Sequence, residues 1–449
     1  MKTLVRSCAV LAWLALPPPA ALADGFGVYT QGARATGMGG AWVARVMDPS
    51  AVFYNVAGMS QLSGTQVYVG ATTLINSGNG VTLFDGERHD QVNQTFLIPH
   101  LYLTHEVSSR FAAGVGVYTP YGLGTQWDKE TFPGRFRSYE ADIQSIFIQP
   151  SVSFAPRESF SIGGGVSFVY ADVGLNRQTD LSTLVLNELG TTFGQVTGLP
   201  PNTQSFLDTE FEASGTGFGY NVGVLLSPTP VFQIGLAYRS QVEIDFEGDA
   251  TFAPVATGIV LGPGNPLGAP AGTPLDAVLA GRLPSDQEAS TTVVLPDQVV
   301  GGISLSPSES WMVNADVKWT NWEDFDELVL DFANENPGED VLEPAYENGT
   351  SWRIGAEWLA TPSIALRAGY IRDENPVPQR SVTPLLPDAD RNEFSLGFGY
   401  TTGPWQIDAF YLREIFKERA GPVGIEDDLP DGIYDTTGNL FGLDVGYRL

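Results

Sequence analysis

Apolar and polar residues alternate one by one along much of the chain beyond residue 63. A period of two residues predicts β-strands with one apolar face and one mixed, more polar face. In residues 231–239 the apolar face carries Phe232, Ile234, Leu236 and Tyr238, and the other face carries Gln233, Gly235, Ala237 and Arg239. The same alternation occurs in residues 311–319, 351–358, 363–371 and 394–400.

Over the whole chain this pattern predicts fourteen strands whose connections alternate between short turns and long loops. An even number of antiparallel strands with short turns at one end and long loops at the other is typical of outer-membrane barrels. The strands are centred on residues 65–75, 96–107, 111–121, 145–155, 160–173, 215–227, 231–245, 293–305, 311–322, 350–360, 363–372, 391–401, 405–414 and 437–449.

Tryptophans decide between a membrane barrel and a soluble β-sandwich with one buried face. A sandwich would place large aromatic side chains in the middle of its strands, whereas a membrane barrel carries them at strand ends, as interfacial girdles. Trp311, Trp319, Trp352, Trp358 and Trp405 lie at predicted strand ends. The sequence therefore predicts an all-β fold, a transmembrane barrel of fourteen antiparallel strands over residues 63–449.

The first 23 residues predict a signal peptide for export. Lys2 and Arg6 precede an apolar run and a small-residue cleavage site before Asp24. The only cysteine, Cys8, would leave with this segment, which excludes disulfides and thiol chemistry in the mature chain. The net charge of −29 becomes −31 without Lys2 and Arg6, so we expect no nucleic-acid partner.

Residues 24–62 lie between the signal peptide and the first strand. They are too rich in glycine and alanine, and too irregular in period, for a strand or a long helix. If a closed barrel follows, the lumen is the place where such a segment can be buried. We therefore predict that residues 24–62 form a plug, or hatch, inside the barrel.

Two long loops carry apolar residues at helical spacing. Asp180 is placed to cap a helix that ends at Gly190, and Pro274 to start one that ends at Gly281. Their apolar faces either cover each other or form a groove for an apolar ligand, and the residues alone leave both readings open. The predicted groove residues are Leu181, Leu184, Val185, Leu189 and Phe193 from the first loop, and Leu275, Val278 and Leu279 from the second.

The third predicted strand contains Pro120 and Gly122, which predict a bulge or kink because proline cannot donate to a strand ladder. The kink is either an irregularity of the barrel rim or a functional break in its wall. Charges of both signs also occur on inward faces, among them Arg239, Arg353 and Arg367. Such charges most often pair with each other, and the alternative is that some cations bind an anionic ligand.

Catalytic motifs are missing from the sequence. His100 and His105 have no nucleophile in a recognisable motif, which disfavours the alternative of a surface lipid hydrolase, and we see no phosphate loop, metal cluster or thiol site. The acidic runs 323–347 and 426–435 predict solvated loops, with divalent-cation bridging as the alternative. We expect no enzyme activity, no cofactor and no bound metal.

Several segments together resemble the FadL-type family of long-chain fatty acid transporters from Gram-negative outer membranes. They are GFGVYTQGARATGMGGAWVARVMDPSAVFYNVAGM, YGLGTQWDKETFPGR, YRSQVEIDFEGDATF, LPDQVVGGISLSPSESWMVNADVKWTNWEDFDEL and GYIRDENPVPQRSVTPLLPDADRNEFSLGFGY. The resemblance implies a monomeric barrel in the outer membrane, among bilayer lipids and lipopolysaccharide. It implies passive uptake of long-chain fatty acids or similar hydrophobic molecules. Uncharged or aromatic hydrocarbons are the alternative substrates, and a general porin is the remaining alternative.

The resemblance also implies roles for individual residues. Substrate would be captured between the two outer loops and released sideways at the kink of Pro120 and Gly122, and Phe26 would reach the internal pocket. Arg239, Arg353 and Arg367 match recurrent family positions in the lumen. The family's Asn-Pro-Ala-Gly gate reads Asn55, Val56, Ala57 and Gly58, and Asp172 and Val329 stand where the family's carboxylate-binding cations are expected.

Overall fold

The chain folds into a closed antiparallel barrel of fourteen strands, which confirms the predicted fold class. The structure, a computed structural model, describes residues 25–186, 190–334, 339–342, 344–421 and 432–449. The predicted signal peptide, Asp24 and Leu189 lie outside the described residues. The strands are β1 Thr65–Asn76, β2 Gln94–Ser108, β3 Phe111–Tyr118 with Gly122–Gln126, β4 Glu140–Arg157, β5 Phe160–Thr179, β6 Leu207–Thr229, β7 Phe232–Arg239 with Val242–Pro254, β8 Gln287–Leu295 with Gln298–Ser308, β9 Trp311–Thr320, β10 Gly349–Thr361, β11 Ile364–Asp373, β12 Arg391–Thr402, β13 Trp405–Phe416 and β14 Thr437–Arg448.

Each strand pairs with the next, and β14 closes the barrel by pairing with β1. The outward faces are apolar and exposed, for example Leu236 at 51% and Trp352 at 55%. At the end with the short turns, the rings of Trp311 and Trp358 stack at a centroid distance of 5.9 Å. The lipid-facing pattern and the aromatic strand ends are therefore those predicted from the alternation.

Short elements outside the barrel wall complete the described structure. No helix among the described residues is both long enough and apolar enough to cross a membrane. The helices are α1 Ala33–Thr36, α2 Ala51–Tyr54, α3 Phe193–Thr197 and α4 Leu275–Leu279, with 3₁₀ turns at Val56–Gln61, Pro133–Phe136, Trp322–Asp324 and Gln379–Ser381. Short loop strands are Gly80–Leu83, Arg88–Asp90, Val185–Leu186, Thr191–Thr192, Leu328–Phe332, Glu339–Leu342, Arg419–Ala420 and Gly432–Asp435.

The N-terminal segment, residues 25–62, is mostly buried and contacts inward-facing residues of many strands. The Asp316 carboxylate accepts hydrogen bonds from two backbone N–H groups of this segment, at 2.7 and 2.9 Å. Inward-facing glycines let the two backbones approach closely. A Cβ added to Gly235 would lie 2.1 Å from the carbonyl oxygen of Val43, and one added to Gly355 would lie 2.1 Å from that of Met38. The wall glycines therefore make room for the segment.

A charged network joins the N-terminal segment to the barrel wall. Arg34 of α1 binds the Glu357 carboxylate at 2.8 and 3.0 Å through two of its nitrogens. Glu357 also accepts from Arg367 at 2.6 Å, and Arg367 donates to Asp408 at 2.7 Å. The expectation that lumen charges pair with one another thus holds for Arg367, whose charge is balanced by two carboxylates.

The first outer loop differs from its prediction. The Asp180 carboxylate accepts from the Ser182 N–H in a local turn, and the strand Val185–Leu186 follows. The predicted helix beginning at Leu181 is therefore wrong for the described residues. The helix lies later, at α3, because the side chains of Thr192 and Gln195 form a capping box there, and Gly198 ends it with a φ of +75°. The predicted helix of the second loop is present as α4.

Candidate functional site

An apolar cavity of about 440 Å³ lies at the loop end of the lumen. Inward-facing residues of four strands form its wall. Two outer loops form its cover, one through residues 325–330, 341–342 and 344–346 and the other through residues 380–386. The wall residues Ile143, Leu175, Phe211 and Val293 are all buried. A mostly apolar cavity with a few polar groups is the kind of site that binds a hydrophobic small molecule.

Phe26 forms the inner side of this cavity. Its ring lies in edge contact with Trp322, Phe325 and Tyr121, at centroid distances of 4.8, 5.5 and 6.1 Å. The preceding residue must be glycine here. Gly25 has a φ of +60°, and a Cβ on it would lie 2.6 Å from the Trp322 ring. The start of the N-terminal segment is thus held among aromatic rings next to the cavity.

Polar groups at the cavity come from residues that the sequence did not single out. Arg137, Asp142 and Arg380 line it, whereas Asp172 and Val329, the positions where the family's cations were expected, are not among its lining residues. Arg137 follows the 3₁₀ turn Pro133–Phe136 and Arg380 lies in an outer loop. In the sequence, Arg137 is marked only by its position two residues after YGLGTQWDKETFPGR, a segment that resembles the family.

The loop that carries Arg380 also contains the buried carboxyl group of Asp388, which is 2% exposed. Burial raises the pKa of Asp388 to about 7, while the nearby charge of Arg391 and a hydrogen bond from the Ala389 N–H lower it. The neutral form of this group is therefore favoured in the folded loop.

The strand pairing of the barrel wall is interrupted between β2 and β3. The ladder between these strands runs from the short-turn end only as far as the pair Leu101 and Val117. Beyond it, β3 is interrupted between Tyr118 and Gly122, and its second half pairs only with β4 among the described strands. At the far end of β3, Val92, which precedes β2, donates its N–H to the Gln126 carbonyl at 2.8 Å. Pro120 and Gly122 thus lie at a break in the wall, as the kink prediction expected.

The N-terminal segment supplies the hydrogen bonds that β2 does not. The Val28 N–H donates to the Pro120 carbonyl at 2.7 Å, and the Gly122 N–H donates to the Phe26 carbonyl at 2.9 Å. The Gln31 side chain donates to the Thr119 carbonyl at 2.6 Å. Residues 26–28 therefore contact both the cavity and the interrupted strand.

Asn55, Val56, Ala57 and Gly58, the predicted gate residues, lie together near the short-turn end of the lumen. The Asn55 side chain accepts from the Ala57 N–H and donates to the Val43 and Val224 carbonyls, at 2.8 and 3.2 Å. Ser153 and Ser161 both donate to the Ala57 carbonyl at 3.0 Å. This part of the segment is fixed to β4, β5 and β6, at a distance along the lumen from the cavity.

The three predicted lumen cations do not line the cavity. Arg367 belongs to the paired network described above. The guanidinium of Arg239 lies over the Phe53 ring at 4.2 Å, and that of Arg353 lies over the Tyr29 ring at 3.7 Å. Arg353 also donates to the Ser351 hydroxyl at 3.0 Å.

The predicted groove residues lie outside the lumen, in the two outer loops. Phe193 and Leu275 are buried in one cluster with Phe206 and Leu261, so the two loops pack on each other. Leu181, Val278 and Leu279 are partly buried against this cluster. Leu184 and Val185 are exposed at 51% and 59%. The arrangement brings the two loops together, and a ligand groove between them stays a prediction.

The histidines have structural partners. His100 Nε2 lies 2.9 Å from an oxygen of the buried Asp444, and His105 Nδ1 lies 2.7 Å from the Thr65 hydroxyl oxygen near the short-turn end. Across the described residues, no group of three or more histidine, cysteine or acidic side chains is placed to hold a metal ion.

Comparison with known proteins gives one family. Residues 15–436 match the family model described as "Outer membrane protein transport protein (OMPP1/FadL/TodX)". A long-chain fatty acid transport protein of Escherichia coli O6:H1 is 26% identical over 316 residues, which cover 68% of this chain and 66% of that protein.

Two solved structures have the same fold. A Pseudomonas aeruginosa FadL homologue has a TM-score of 0.80 at 22% identity, covering 94% of this chain and 99% of its own. The Pseudomonas putida toluene transporter TodX has a TM-score of 0.72 at 17% identity, with coverages of 94% and 99%.

Proposed function

Because this chain belongs to the OMPP1/FadL/TodX family of outer-membrane transport proteins, we propose that it takes up long-chain fatty acids or similar hydrophobic molecules by passive transport. The family consists of outer-membrane channels for hydrophobic compounds and not of enzymes, so the expectation of a non-enzyme is confirmed. The observation that carries the proposal is the double contact of residues 26–28, with the apolar cavity on one side and the interrupted β3 on the other.

In this proposal the N-terminal segment acts as a hatch. A ligand that enters the cavity competes with Phe26 for the same apolar surface. If Phe26 moves, the backbone bonds from residues 26–28 to Pro120 and Gly122 are broken, and the opening between β2 and β3 is uncovered. The substrate then leaves sideways into the bilayer.

The sideways route has a physical advantage for an apolar chain. Moving a methylene group from an apolar site into water costs ~0.8 kcal/mol, so a long alkyl chain would face a large barrier in an aqueous exit. A path from the cavity through the wall into lipid keeps the chain in apolar surroundings. Transport down a concentration gradient then needs no other energy source.

Capture is assigned to the outer loops. Leu184 and Val185 are exposed next to the buried cluster of Phe193 and Leu275, and we propose this surface as the first binding site for the substrate. We further propose that the protein works as a monomer, with its exposed apolar strand faces in lipid and its loops among lipopolysaccharide.

Aromatic or uncharged hydrocarbons are the second candidate substrates. The cavity is mostly apolar, and TodX, which shares the fold, is a toluene transporter. The E. coli relative is named for long-chain fatty acids. Uptake of radiolabelled oleate and of toluene by a transporter-null strain expressing this chain separates the two candidates. Uptake of both at the level of the empty control would refute the proposal.

Covalent closure of the wall tests the exit route. Because the only cysteine, Cys8, lies in the predicted signal peptide, a reversible thiol cross-linker can be applied to the pair Pro99→Cys and Thr119→Cys. These residues lie on the two sides of the interruption, where the Thr119 hydroxyl donates to the Pro99 carbonyl at 3.4 Å. We expect cross-linking to abolish oleate uptake and reduction to restore it.

The matched control is the pair Leu103→Cys and Val115→Cys, which are already register partners in the continuous part of the same ladder. Cross-linking there closes no opening and should leave uptake unchanged. Full uptake by the protein cross-linked between residues 99 and 119 would show that substrate leaves by another route.

A further inference from the structure

Three basic side chains, the basic cluster, lie on the outward face of the barrel at the loop ends of β11 and β13. Arg372 is the last outward-facing residue of β11, Arg413 faces outward on β13, and Lys417 directly follows β13. Arg372 and Lys417 bind the same oxygen of the Asp390 carboxylate, at 2.7 and 2.8 Å. Arg413 donates to the Asn439 side chain at 2.9 Å and has no carboxylate partner among the described residues.

The basic cluster has an excess of positive charge, because its three cations share one carboxylate. The neighbouring residues Glu374 and Glu418 are exposed, and within the described part of the chain neither forms an ion pair with these cations. The whole chain, in contrast, has 52 acidic and 23 basic residues. A local excess of positive charge on so acidic a protein favours an anionic partner.

Aromatic side chains lie on the lipid-facing surface next to the basic cluster. The rings of Tyr370 and Phe394 are 5.3 Å apart, and those of Tyr411 and Phe441 are 5.0 Å apart. Such rings mark the boundary between the apolar bilayer core and the lipid head groups. Because the loop end of an outer-membrane barrel faces the cell exterior, the basic cluster lies at the level of the head groups of the outer leaflet.

An apolar groove of about 830 Å³ on the outer surface of the barrel reaches the basic cluster. Gly301 and Ala315 face outward in it, and the exposed side chain of Leu236 borders it. A Cβ added to Gly301 would have no neighbour closer than 3.8 Å. Trp352 lines the groove and is the register partner of Arg372. The surface therefore fits a lipid whose anionic head contacts the cations and whose acyl chain fills the groove.

We propose that the basic cluster and the groove bind lipid A, the phosphorylated and acylated disaccharide that anchors lipopolysaccharide in the outer leaflet. Arginine and lysine are the side chains that bind phosphate oxygens. From β11 to β13 the cluster spans two strand spacings, about 10 Å, which suits the two phosphates of one disaccharide better than the single phosphate of a glycerophospholipid. The site lies outside the lumen and does not depend on which molecule is transported.

The test titrates the purified protein in detergent micelles with diphosphoryl lipid A, with lipid A stripped of its phosphates, and with phosphatidylglycerol. Native mass spectrometry counts the bound lipids. We expect one tightly bound lipid A and much weaker binding of the other two probes. Arg413→Gln combined with Lys417→Gln removes two charges and leaves Asp390 paired with Arg372. This double variant should bind lipid A about thirtyfold more weakly.

Two charge controls accompany this variant. Arg110→Gln combined with Arg157→Gln removes two exposed cations at the short-turn end and should bind lipid A like the wild type. Arg413→Lys combined with Lys417→Arg keeps both charges and should retain most of the lipid A binding.

Gly301→Leu tests the groove. The added side chain points into the groove and not into the barrel, so the barrel should fold and lipid A should bind severalfold more weakly. Gly164→Leu is the matched control, since Gly164 of β5 lies outside the groove and a Cβ on it would have no neighbour closer than 3.5 Å. It should leave lipid A binding unchanged.

Lipid A binding that is unchanged in Arg413→Gln with Lys417→Gln would overturn the role of the basic cluster. Equal loss in the charge-preserving variant would overturn it as well, because it would indicate a structural role. Phosphatidylglycerol bound as tightly as lipid A would overturn the assignment to lipid A, and equal effects of Gly301→Leu and Gly164→Leu would overturn the role of the groove.

Discussion

Glu357→Gln is expected to loosen the N-terminal segment without breaking the barrel. Glu357 lies between Arg34 of the segment and Arg367 of the wall, and the side chains of all three are at most 11% exposed. After the substitution Arg367 keeps its bond to Asp408 at 2.7 Å. Arg34 is then left without its carboxylate partner, so the substitution lowers the stability of the contact between the N-terminal segment and the barrel wall.

The magnitude follows from the burial of the pair. Removing one partner of a buried ion pair costs about 3–5 kcal/mol, because the remaining charge is uncompensated. Each 1.4 kcal/mol is a factor of ten in an equilibrium constant, so the ratio of closed to open segment should fall about a hundredfold to a thousandfold or more. A plugged barrel that rarely opens would then open often.

Single-channel recording in planar bilayers measures this change. The wild-type protein should show rare openings and Glu357→Gln frequent ones. Glu309→Gln, in an exposed short turn, is the matched control and should behave as the wild type. The double variant Arg34→Met with Glu357→Gln removes both charges and should restore much of the closure. A folded Glu357→Gln barrel with wild-type conductance would refute the reasoning that this pair holds the segment.

Three further outcomes are expected. Val56→Pro places proline at the first position of a 3₁₀ turn, where it is tolerated, and should stabilise the segment by about 0.4–1 kcal/mol, measured as slower hydrogen exchange in residues 55–62. Ala141→Phe, which points into the outer cavity, should lower oleate binding at least tenfold, whereas Ile148→Phe on the lipid face of the same strand should not. Because burial raises the pKa of Asp388 to about 7, its stabilisation of the outer loop is complete below about pH 4 and is lost as the pH rises through 7. Protease cleavage of residues 374–390 should therefore increase between pH 5 and 8.5, and Asp388→Asn should remove that increase.

The barrel could be predicted from the sequence because lipid imposes a strict alternation on every strand. Outward residues such as Leu236 must be apolar, and inward residues such as Gly235 are selected by the buried segment behind them. Both constraints repeat every second residue and are visible without a structure. The break in β3 was predictable for a related reason, since Pro120 has no backbone N–H to donate to a ladder.

The cavity could not be predicted in the same way. Its cover and its cations come from loops, in which Arg137, Phe325, Tyr346 and Arg380 follow no period. Of the two predicted loop helices, one is present at its predicted place and the other is not. Leu275 and its neighbours form a helix where a proline starts it, whereas the apolar residues after Asp180 have helical spacing but a stronger start signal follows at Thr192. Local capping chemistry decided that choice.

The contacts of the N-terminal segment differ in strength along its length, and this difference predicts the order in which it opens. Residues 26–28 hold β3 by two backbone hydrogen bonds, worth about 1–3 kcal/mol together, whereas Arg34 is held by a buried ion pair whose loss costs about 3–5 kcal/mol. Burying about three methylenes of a ligand, at ~0.8 kcal/mol each, gives about 2.4 kcal/mol, which is comparable with the first set and smaller than the second. Ligand binding should therefore speed hydrogen exchange at Val28 and Gly122 before it affects residues 33–48, and simultaneous exchange of both parts would mean that the segment moves as one rigid unit.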